Sequence, residues 1–369
     1  MSFNRPSPDG ACPASESPDF GPVFDAFPVE SPFEVRPDLA KMTPPDDWLR
    51  VDGEWPAMVA AKLAALGGTD SGERAENIML AMPCDGNTQR RRLSAIKQVA
   101  SNLAATGAGR RLGMKCAATD VAFTAAGYRC KIAGDEFRLH ADRPEAAPVV
   151  RALETGVGAS GLLGAIAMSL QEDLVLMEQA PDGVPRAAVF HVSFPSAWNP
   201  AAKLGQDLLA LHAPVADNAL LQSAASRLGR ALLGKGPFVR WVWTVTVDPR
   251  WRAWPPLSSI VTQETAAPVN AGAGSDPRDR SFGANRIERA RSDGAGELPL
   301  YFRLERQTTM PLDDGYGLFL IRVQVRPLAD VLARQPERLA LLQASLRSMS
   351  DAMVSYKSLG AVRDRVLQM

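Results

Sequence analysis

Two runs of strand-forming residues near the C-terminus constrain the fold of this chain most strongly. LYFRLERQTTM and GLFLIRVQV are rich in β-branched, aromatic and other apolar residues, and the short turn PLDDGY separates them. Strands joined by so short a turn run antiparallel and form a hairpin. A second hairpin is predicted from residues 165–178 and 187–195, which a Pro-Asp-Gly turn separates. We therefore expect an antiparallel sheet.

Helical patterns flank these strands and do not alternate with them. A further strand is predicted at 238–248, and weaker strand patterns occur between 109 and 151. Helices are predicted at 55–67, at 76–105 with an interruption near 83–87, at 220–233 and within 328–357. This order predicts an α+β fold, with helices on one side of the sheet.

The domain organisation follows from shifts in composition. Residues 1–25 are rich in Pro, Ser, Gly and Asp, which predicts a disordered leader. Residues 26–369 are expected to form a single domain, with a long loop at about 263–297 where Gly, Ala, Asp, Arg and Ser dominate.

The amino-acid composition argues against several classes of binding partner and cofactor. The chain has 41 basic and 41 acidic residues, so no excess of positive charge favours nucleic acid or an anionic membrane. Its four cysteines lie far apart and form no C-x-x-C pair, which argues against an iron–sulfur cluster or a zinc knuckle. No apolar run is long enough to span a membrane, and no targeting segment is visible. We expect a soluble, cytoplasmic protein.

The segment FPSAWNPAAKLGQDLLALHAPV carries one of only three histidines. Pro200 suits the first position of a helix, Asn199 can cap it, and Pro214 ends it, so one short amphipathic helix is predicted. On a single helix, Gly205, Leu208, Leu209 and His212 share a face.

Such a face has two interpretations. A flat apolar cofactor fits against it, with the imidazole of His212 as a ligand. Alternatively, His212 is a core histidine whose ring nitrogen bonds a carbonyl. Spacing alone leaves both open.

Polar groups in two predicted strands are further candidates. Alternation places Glu305 and Gln307 on one face of their strand, with Arg303, and sends Arg306 and Thr308 to the other. These side chains line a pocket or form a solvated face. Asp173, in the sequence QED, lines a pocket or belongs to the polar part of an edge strand.

Three other motifs have plain structural interpretations. GVGASG at 156–161 matches a dinucleotide-binding pattern but lacks a preceding buried strand, so a glycine turn is favoured. GRALLGKG at 229–236 lacks the Ser or Thr of a phosphate loop, and a helix C-terminus explains its glycines. Trp241 and Trp243 share a strand face and are predicted to line the core or a pocket wall.

Five blocks, in this order, resemble the haem-dependent oxidative N-demethylases related to bacterial dimethylamine monooxygenase. They are SLQEDLVLME, FPSAWNPAAKLGQDLLALHAPV, RWVWTVTVDP, LERQTTMPLDDGYGLFLIRV and SLRSMSDAMVSYKSLG. A weaker similarity covers PFEVRPDLAKMTPPDDWLRVD, so the resemblance extends over about 30–70 and 165–360.

The resemblance implies a PAS-like antiparallel sheet with flanking helices and a pocket for haem b between sheet and helix. It implies a haem-dependent monooxygenase in which oxygen is activated at iron and the N-methyl carbon of an alkylamine is hydroxylated. The product then separates into formaldehyde and the shortened amine. A small amine and O2 would be the substrates.

The resemblance also suggests roles for individual residues. His212 matches the position of the family's axial iron ligand, in LLALHAPV, which makes it the expected metal ligand. Trp198, Gly205 and Leu208 would contribute to the cofactor site. Candidates for pairing with the haem propionates are Lys203, Arg306 and Arg322. Candidates for holding the cationic amine or acting in catalysis are Glu305, Arg306, Asp173 and Trp243.

Two features depart from the family pattern or leave the reaction incomplete. After ERQT the chain reads TMPLDDGYG, which departs from the family and suggests a substrate other than dimethylamine. No flavin, nicotinamide or cluster motif is present, so electrons are expected from a separate flavin or iron–sulfur reductase. Self-association stays open. The alternative functions are a non-catalytic haem-binding sensor and a nicotinamide-dependent oxidoreductase that uses GVGASG.

Overall fold

A seven-stranded antiparallel sheet dominates the computed structural model. The structure describes residues 26–42, 49–67, 78–106, 108, three short strands within 122–140, 163–253 and 298–369, except positions 165, 169, 197 and 334. The seven strands are β1 (Ala40–Lys41), β2 (Met79–Ala81), β6 (Asp173–Gln179), β7 (Pro185–His191), β8 (Phe238–Thr246), β9 (Tyr301–Pro311) and β10 (Tyr316–Pro327). A separate three-stranded sheet contains β3 (Ala122–Thr124), β4 (Gly127–Ile132) and β5 (Asp135–His140).

Helices surround the larger sheet. They are α1 (Trp55–Gly67), α2 (Gly86–Ala104), α3 (Leu208–His212), α4 (Ala219–Gly234), α5 (Leu328–Ala333), α6 (Glu337–Ser348), α7 (Asp351–Tyr356) and α8 (Gly360–Leu367). A 3-10 turn covers Ala201–Lys203. Among the described helices, none is long and apolar enough to cross a membrane. The α+β prediction is confirmed.

The C-terminal hairpin forms the middle of the sheet. The strand order is β1-β8-β9-β10-β6-β7-β2, so β9 has β8 on one side and β10 on the other. Glu305 lies opposite Val323 of β10 and Val242 of β8, whereas Arg306 lies opposite Arg322 and Trp241. Side chains of directly opposed residues share a face. We call the face of Glu305 and Gln307 the glutamate face, and that of Arg306 and Arg322 the arginine face.

Helices cover both faces, which makes the prediction of helices on one side wrong. On the arginine face, Leu174 and Leu320 pack in one cluster with Ile96 of α2, and Leu304 packs in another with Leu342 of α6. On the glutamate face, Ile321 and Val323 pack with Met58 of α1, and Phe319 contacts a cluster that includes Leu211 and Leu233. Both faces are apolar enough along β9 and β10 to bury a layer of helices.

Several predicted elements differ in extent. Among the described residues of 165–178 only β6 is a strand, because Leu163, Ile166 and Ala167 are helical and buried. Within 76–105 the first part is β2, and the helix α2 begins only after Asp85, whose carboxylate caps it. Residues 328–357 form three helices, α5, α6 and α7. The predicted leader, the motif GVGASG and the 263–297 loop lie outside the described residues.

The helix α4 approaches the sheet at two glycines. A Cβ built on Gly317 of β10 would lie 2.7 Å from the carbonyl oxygen of Leu232, and one on Gly229 would lie 3.1 Å from Pro185 Cγ. The glycines therefore permit contact between the helix and the strand backbone. GRALLGKG accordingly forms the end of α4, which supports the structural interpretation of that motif.

We expect Gly317→Ala to destabilise the protein by about 1–3 kcal/mol, because the added methyl group meets a helix carbonyl that cannot move independently. Gly234→Ala, at the end of the same helix, is the control, since a Cβ there meets no atom within 4 Å. Urea unfolding measures both. Equal stability of the Gly317→Ala variant and the wild type would contradict the close packing of α4 on β10.

Candidate functional site

The segment that leads to His212 is broken into two short pieces and is not the single helix predicted from its sequence. The 3-10 turn ends at Lys203, and Gly205 adopts a positive φ of 78°. The chain restarts as α3 at Leu208, where the carboxylate of Asp207 accepts a hydrogen bond from the amide of Ala210. Gly205 has left-handed backbone geometry that breaks the helix, so the predicted common face does not form. Leu209 is 50% exposed.

The imidazole of His212 is oriented by its own helix. Its Nδ1 lies 2.8 Å from the carbonyl oxygen of Leu208. A carbonyl oxygen can only accept, so Nδ1 carries the proton and Nε2 presents a lone pair. Among the described residues, none hydrogen-bonds Nε2. A neutral histidine fixed in this way has the tautomer that metal-ligating histidines use.

Two cations lie near His212. Burial lowers the pKa of His212, and the positive charges of Arg240 and Lys203 lower it further, against the opposing effect of the Leu208 carbonyl. Lys203 donates from Nζ to the carbonyl of Leu211, 3.2 Å away, and burial lowers the pKa of Lys203 too. The Nε of Arg240 is buried and has no hydrogen-bond partner among the described residues. His212 is therefore neutral, with cations beside it.

Glu305 is part of a hydrogen-bonded group on the glutamate face. The hydroxyl of Ser196 donates to Glu305 Oε1, and Gln307 Nε2 donates to Oε2 at 3.0 Å. Arg303 Nε donates to the hydroxyl oxygen of Ser196 at 2.8 Å. Both carboxylate oxygens are thus held in place while the side chain stays partly accessible. The predicted grouping of Arg303, Glu305 and Gln307 on one face is confirmed.

Arg240 lies next to Glu305 on the glutamate face. It is directly opposite Gln307, on β8. Burial lowers the pKa of Arg240, and the negative charges of Asp38 and Glu305 oppose that effect. The charge of Arg240 in turn lowers the pKa of His212. The helices α3 and α4 also pack on this face.

Arg306 and Arg322 lie on the other face of the sheet. The guanidinium of Arg306 is 5.8 Å from the ring centroid of Trp241, and Arg322 Nη2 lies 2.5 Å from Asp52 Oδ2. The structure therefore separates these two arginines from Glu305. Trp243 also lies on the arginine face, where it stacks on Phe302 in the core.

The remaining predicted site residues have structural contacts. Trp198 packs with Leu211 beneath α3, and Leu208 supplies the carbonyl that orients His212. Gly205 lies against Met82, whose sulfur would be 3.5 Å from an added Cβ. Among the predicted cofactor-binding residues, Leu208 bonds His212 directly and Lys203 bonds the neighbouring carbonyl of Leu211.

Asp173 belongs to a buried ionic group, and the interpretation of QED as an edge strand is wrong. The strand β6 lies between β10 and β7, and Asp173 is completely buried. Its Oδ1 is 3.4 Å from Lys62 Nζ, and its Oδ2 accepts from the Phe194 amide at 2.7 Å. Burial raises the pKa of Asp173, and Lys62 acts in the opposite direction.

The sequence analysis missed Ser196, Arg240 and Lys62. Arg240 had a signal, because it is the one charged side chain inside an apolar strand. Lys62 lies in an otherwise apolar helix, where a completely buried lysine needs a carboxylate partner. Ser196 had no signal, since only the tertiary fold brings it to Glu305, 109 residues away.

The chain also matches a known protein family. A family model described as haem-dependent oxidative N-demethylase, alpha subunit-like, matches residues 38–367. The chain belongs to this family. No curated protein matches it. Within the described residues, His, Cys, Asp and Glu side chains form no group of three or more that could hold a metal ion.

His191 generates a pH-dependent prediction. It is completely buried, neither ring nitrogen has a partner among the described residues, and burial with the charge of Lys62 lowers its pKa well below the usual value. Below a pH of about 6.5, His191 is protonated in the unfolded chain but stays neutral in the folded protein. The free energy of unfolding therefore falls by up to about 1.4 kcal/mol for each pH unit.

We expect His191→Leu to lose this acid sensitivity. The measurement is the free energy of unfolding in urea between about pH 7 and about pH 5, taken as wild type minus variant. A constant offset comes from changed packing, whereas the slope reports the histidine. A difference that does not vary with pH would show that His191 takes up a proton as readily in the folded protein as in the unfolded chain.

Proposed function

We propose that this chain binds haem b through His212 and carries out oxidative N-demethylation of an alkylamine. The single observation that carries the proposal is the orientation of His212 in a member of this family. Its Nδ1–H is bonded to the Leu208 carbonyl, and its Nε2 lone pair is available to iron. The site would lie between α3 and the glutamate face, in a PAS-like arrangement of sheet and helix.

The residues around His212 fit the rest of the cofactor. Lys203 and Arg240 would supply the cations that pair with the two propionates. The Nε–H of Arg240, which has no partner among the described residues, would donate a hydrogen bond to one of them. Arg322 is less suited to this role, because it lies on the opposite face and pairs with Asp52.

Bound haem would supply the oxygen activation and the oxidising power for hydroxylating an N-methyl carbon, which then leaves as formaldehyde. Glu305 would hold the substrate ammonium group. Its carboxylate is fixed by Ser196 and Gln307, so the amine would be held in one position relative to the reacting methyl group. Asp173 is unavailable for this role because Lys62 and a backbone amide already occupy it.

The departure at TMPLDDGYG does not point to an altered substrate pocket. The turn at 312–315 packs on α2, where Arg91 donates to the Asp314 carbonyl at 2.9 Å and the Asp313 amide donates to Gln98 at 2.9 Å. It begins seven residues after Glu305, about 23 Å along the strand. Substrate specificity is thus better sought beside Glu305.

Electrons would come from a separate flavin or iron–sulfur protein. The alpha subunit in the family description suggests that further subunits take part. Large apolar side chains are exposed on both helices next to His212, Leu209 at 50% and Leu220 at 54%. Such side chains suit a small, transient docking contact close to the cofactor. This supports the surface around α3 as the place where a donor binds.

We expect His212→Ala to lose the Soret band of the haem-reconstituted protein, because the axial nitrogen is removed. Gln222→Ala is the matched control: it removes a hydrogen bond to the Leu209 carbonyl on the same surface and leaves the imidazole intact. Absorption spectra after haem supplementation measure both. A wild-type protein without a Soret band, or an unchanged band in His212→Ala, would contradict the proposal.

We expect Glu305→Gln to raise the KM for a cationic alkylamine about tenfold or more, because the ammonium group loses its counter-charge. Asp313→Asn, in the exposed hairpin turn, is the control. The assay supplies O2 and a chemical reductant and scores formaldehyde over a panel of N-methylamines. An unchanged KM would remove Glu305 from the site, and haem binding without formaldehyde would favour the sensor alternative.

A further inference from the structure

A second group of charged side chains lies on the arginine face, away from His212. Asp173 is opposite Ile321 in the register of β6 and β10, so Glu172, the residue before it, lies beside Arg322. Glu172 is 1% exposed and Arg322 is 3% exposed. Neither residue belongs to the haem site proposed above, and the group stands independently of that proposal.

Glu172 and Arg322 are neighbours that do not bond to each other. Within the described part of the chain, neither carboxylate oxygen of Glu172 has a hydrogen-bond partner, and neither does Nε or Nη1 of Arg322. The backbone carbonyl of Glu172 accepts from Lys62 Nζ. Opposite charges that are buried together normally pair. The groups left without partners on both side chains are those that a small polar occupant would satisfy.

The surrounding charges define what the occupant must supply. Arg322 shares its Nη2 with Asp52, which Gln171 holds through a 2.9 Å hydrogen bond, and Lys62 is paired with Asp173. Asp52 and Lys62 are therefore already balanced. Glu172 still lacks a donor, and two nitrogens of Arg322, Nε and Nη1, still lack an acceptor. Water would satisfy hydrogen bonds but would bring no counter-charge to the carboxylate.

We propose that Glu172 and Arg322 form a binding site for a small zwitterion, a molecule with an ammonium group and a carboxylate. The ammonium group pairs with Glu172, and the carboxylate accepts from Nε and Nη1 of Arg322. Opposed residues of adjacent strands share a face, so one small molecule can contact both side chains. The smallest α-amino acids and their N-methyl derivatives have this form.

A ligand bound at this site would link three segments of the chain. Glu172 precedes β6, Arg322 belongs to β10, and Asp52 brings in the segment before α1 through its contact with Arg322. A ligand that neutralises Glu172 would remove the cost of a buried carboxylate whose pKa burial has raised, an effect that Arg322, Arg306 and Lys62 oppose. Binding would therefore raise the thermal stability of the full chain.

Isothermal titration calorimetry of the full-length protein with glycine and with N-methylglycine tests the site. We expect at least one of them to bind in the millimolar range or tighter. Acetate and methylammonium, which each carry half of the charge pattern, should bind about tenfold more weakly or not at all. Glu172→Gln and Arg322→Lys should each weaken binding of the zwitterion about tenfold or more.

Glu178→Gln is the control, because it changes a glutamate of the same strand that pairs with Arg92 far from Arg322. Thermal unfolding checks that each variant is folded. If a variant does not fold, the infrared carboxyl band of the wild-type protein serves instead, since it should shift when glycine binds beside Glu172. No heat from either zwitterion, equal binding of acetate, or unchanged affinity in Glu172→Gln would overturn the proposal and indicate an ordered-water cluster only.

Discussion

The pairing of β9 with β10 is the interaction on which the rest of the structure depends. Eleven directly opposed residue pairs, from Pro311 with Gly317 to Tyr301 with Pro327, set the register at the centre of the sheet. Because side chains alternate, a shift by one residue would move Glu305 to the arginine face and Arg306 to the glutamate face. Apolar residues between the charged ones, such as Leu304 and Leu320, pack against helices of the arginine face and stabilise this register.

The two faces have different chemistry because they meet different helices. The glutamate face meets α1, α3 and α4, and both Glu305 and His212 are partly accessible. The arginine face lies under α2 and the C-terminal helices, and its charged residues are deeply buried. Buried charges are stable only when paired, which explains the contacts of Arg322 with Asp52 and makes the bare carboxylate of Glu172 exceptional.

Local patterns predicted much of this fold, and tertiary contacts decided the remainder. The helix α1 and the C-terminal hairpin follow from periodicity and turn residues, and alternation correctly separated Glu305 from Arg306. The same logic failed at Gly205, where a left-handed backbone conformation breaks a pattern that reads as one helix. It also failed for QED, because polarity suggests an edge strand unless a buried partner such as Lys62 is known.

The orientation of His212 shows why predicting a site needs both the sequence and the structure. The sequence offered two interpretations, a core histidine bonded to a carbonyl and a cofactor ligand. The structure contains the carbonyl bond, to Leu208, yet that bond does not exclude the second interpretation. It fixes the proton on Nδ1 and leaves the lone pair of Nε2 open. The two interpretations are therefore compatible, because the first uses Nδ1 and the proposed second would use Nε2.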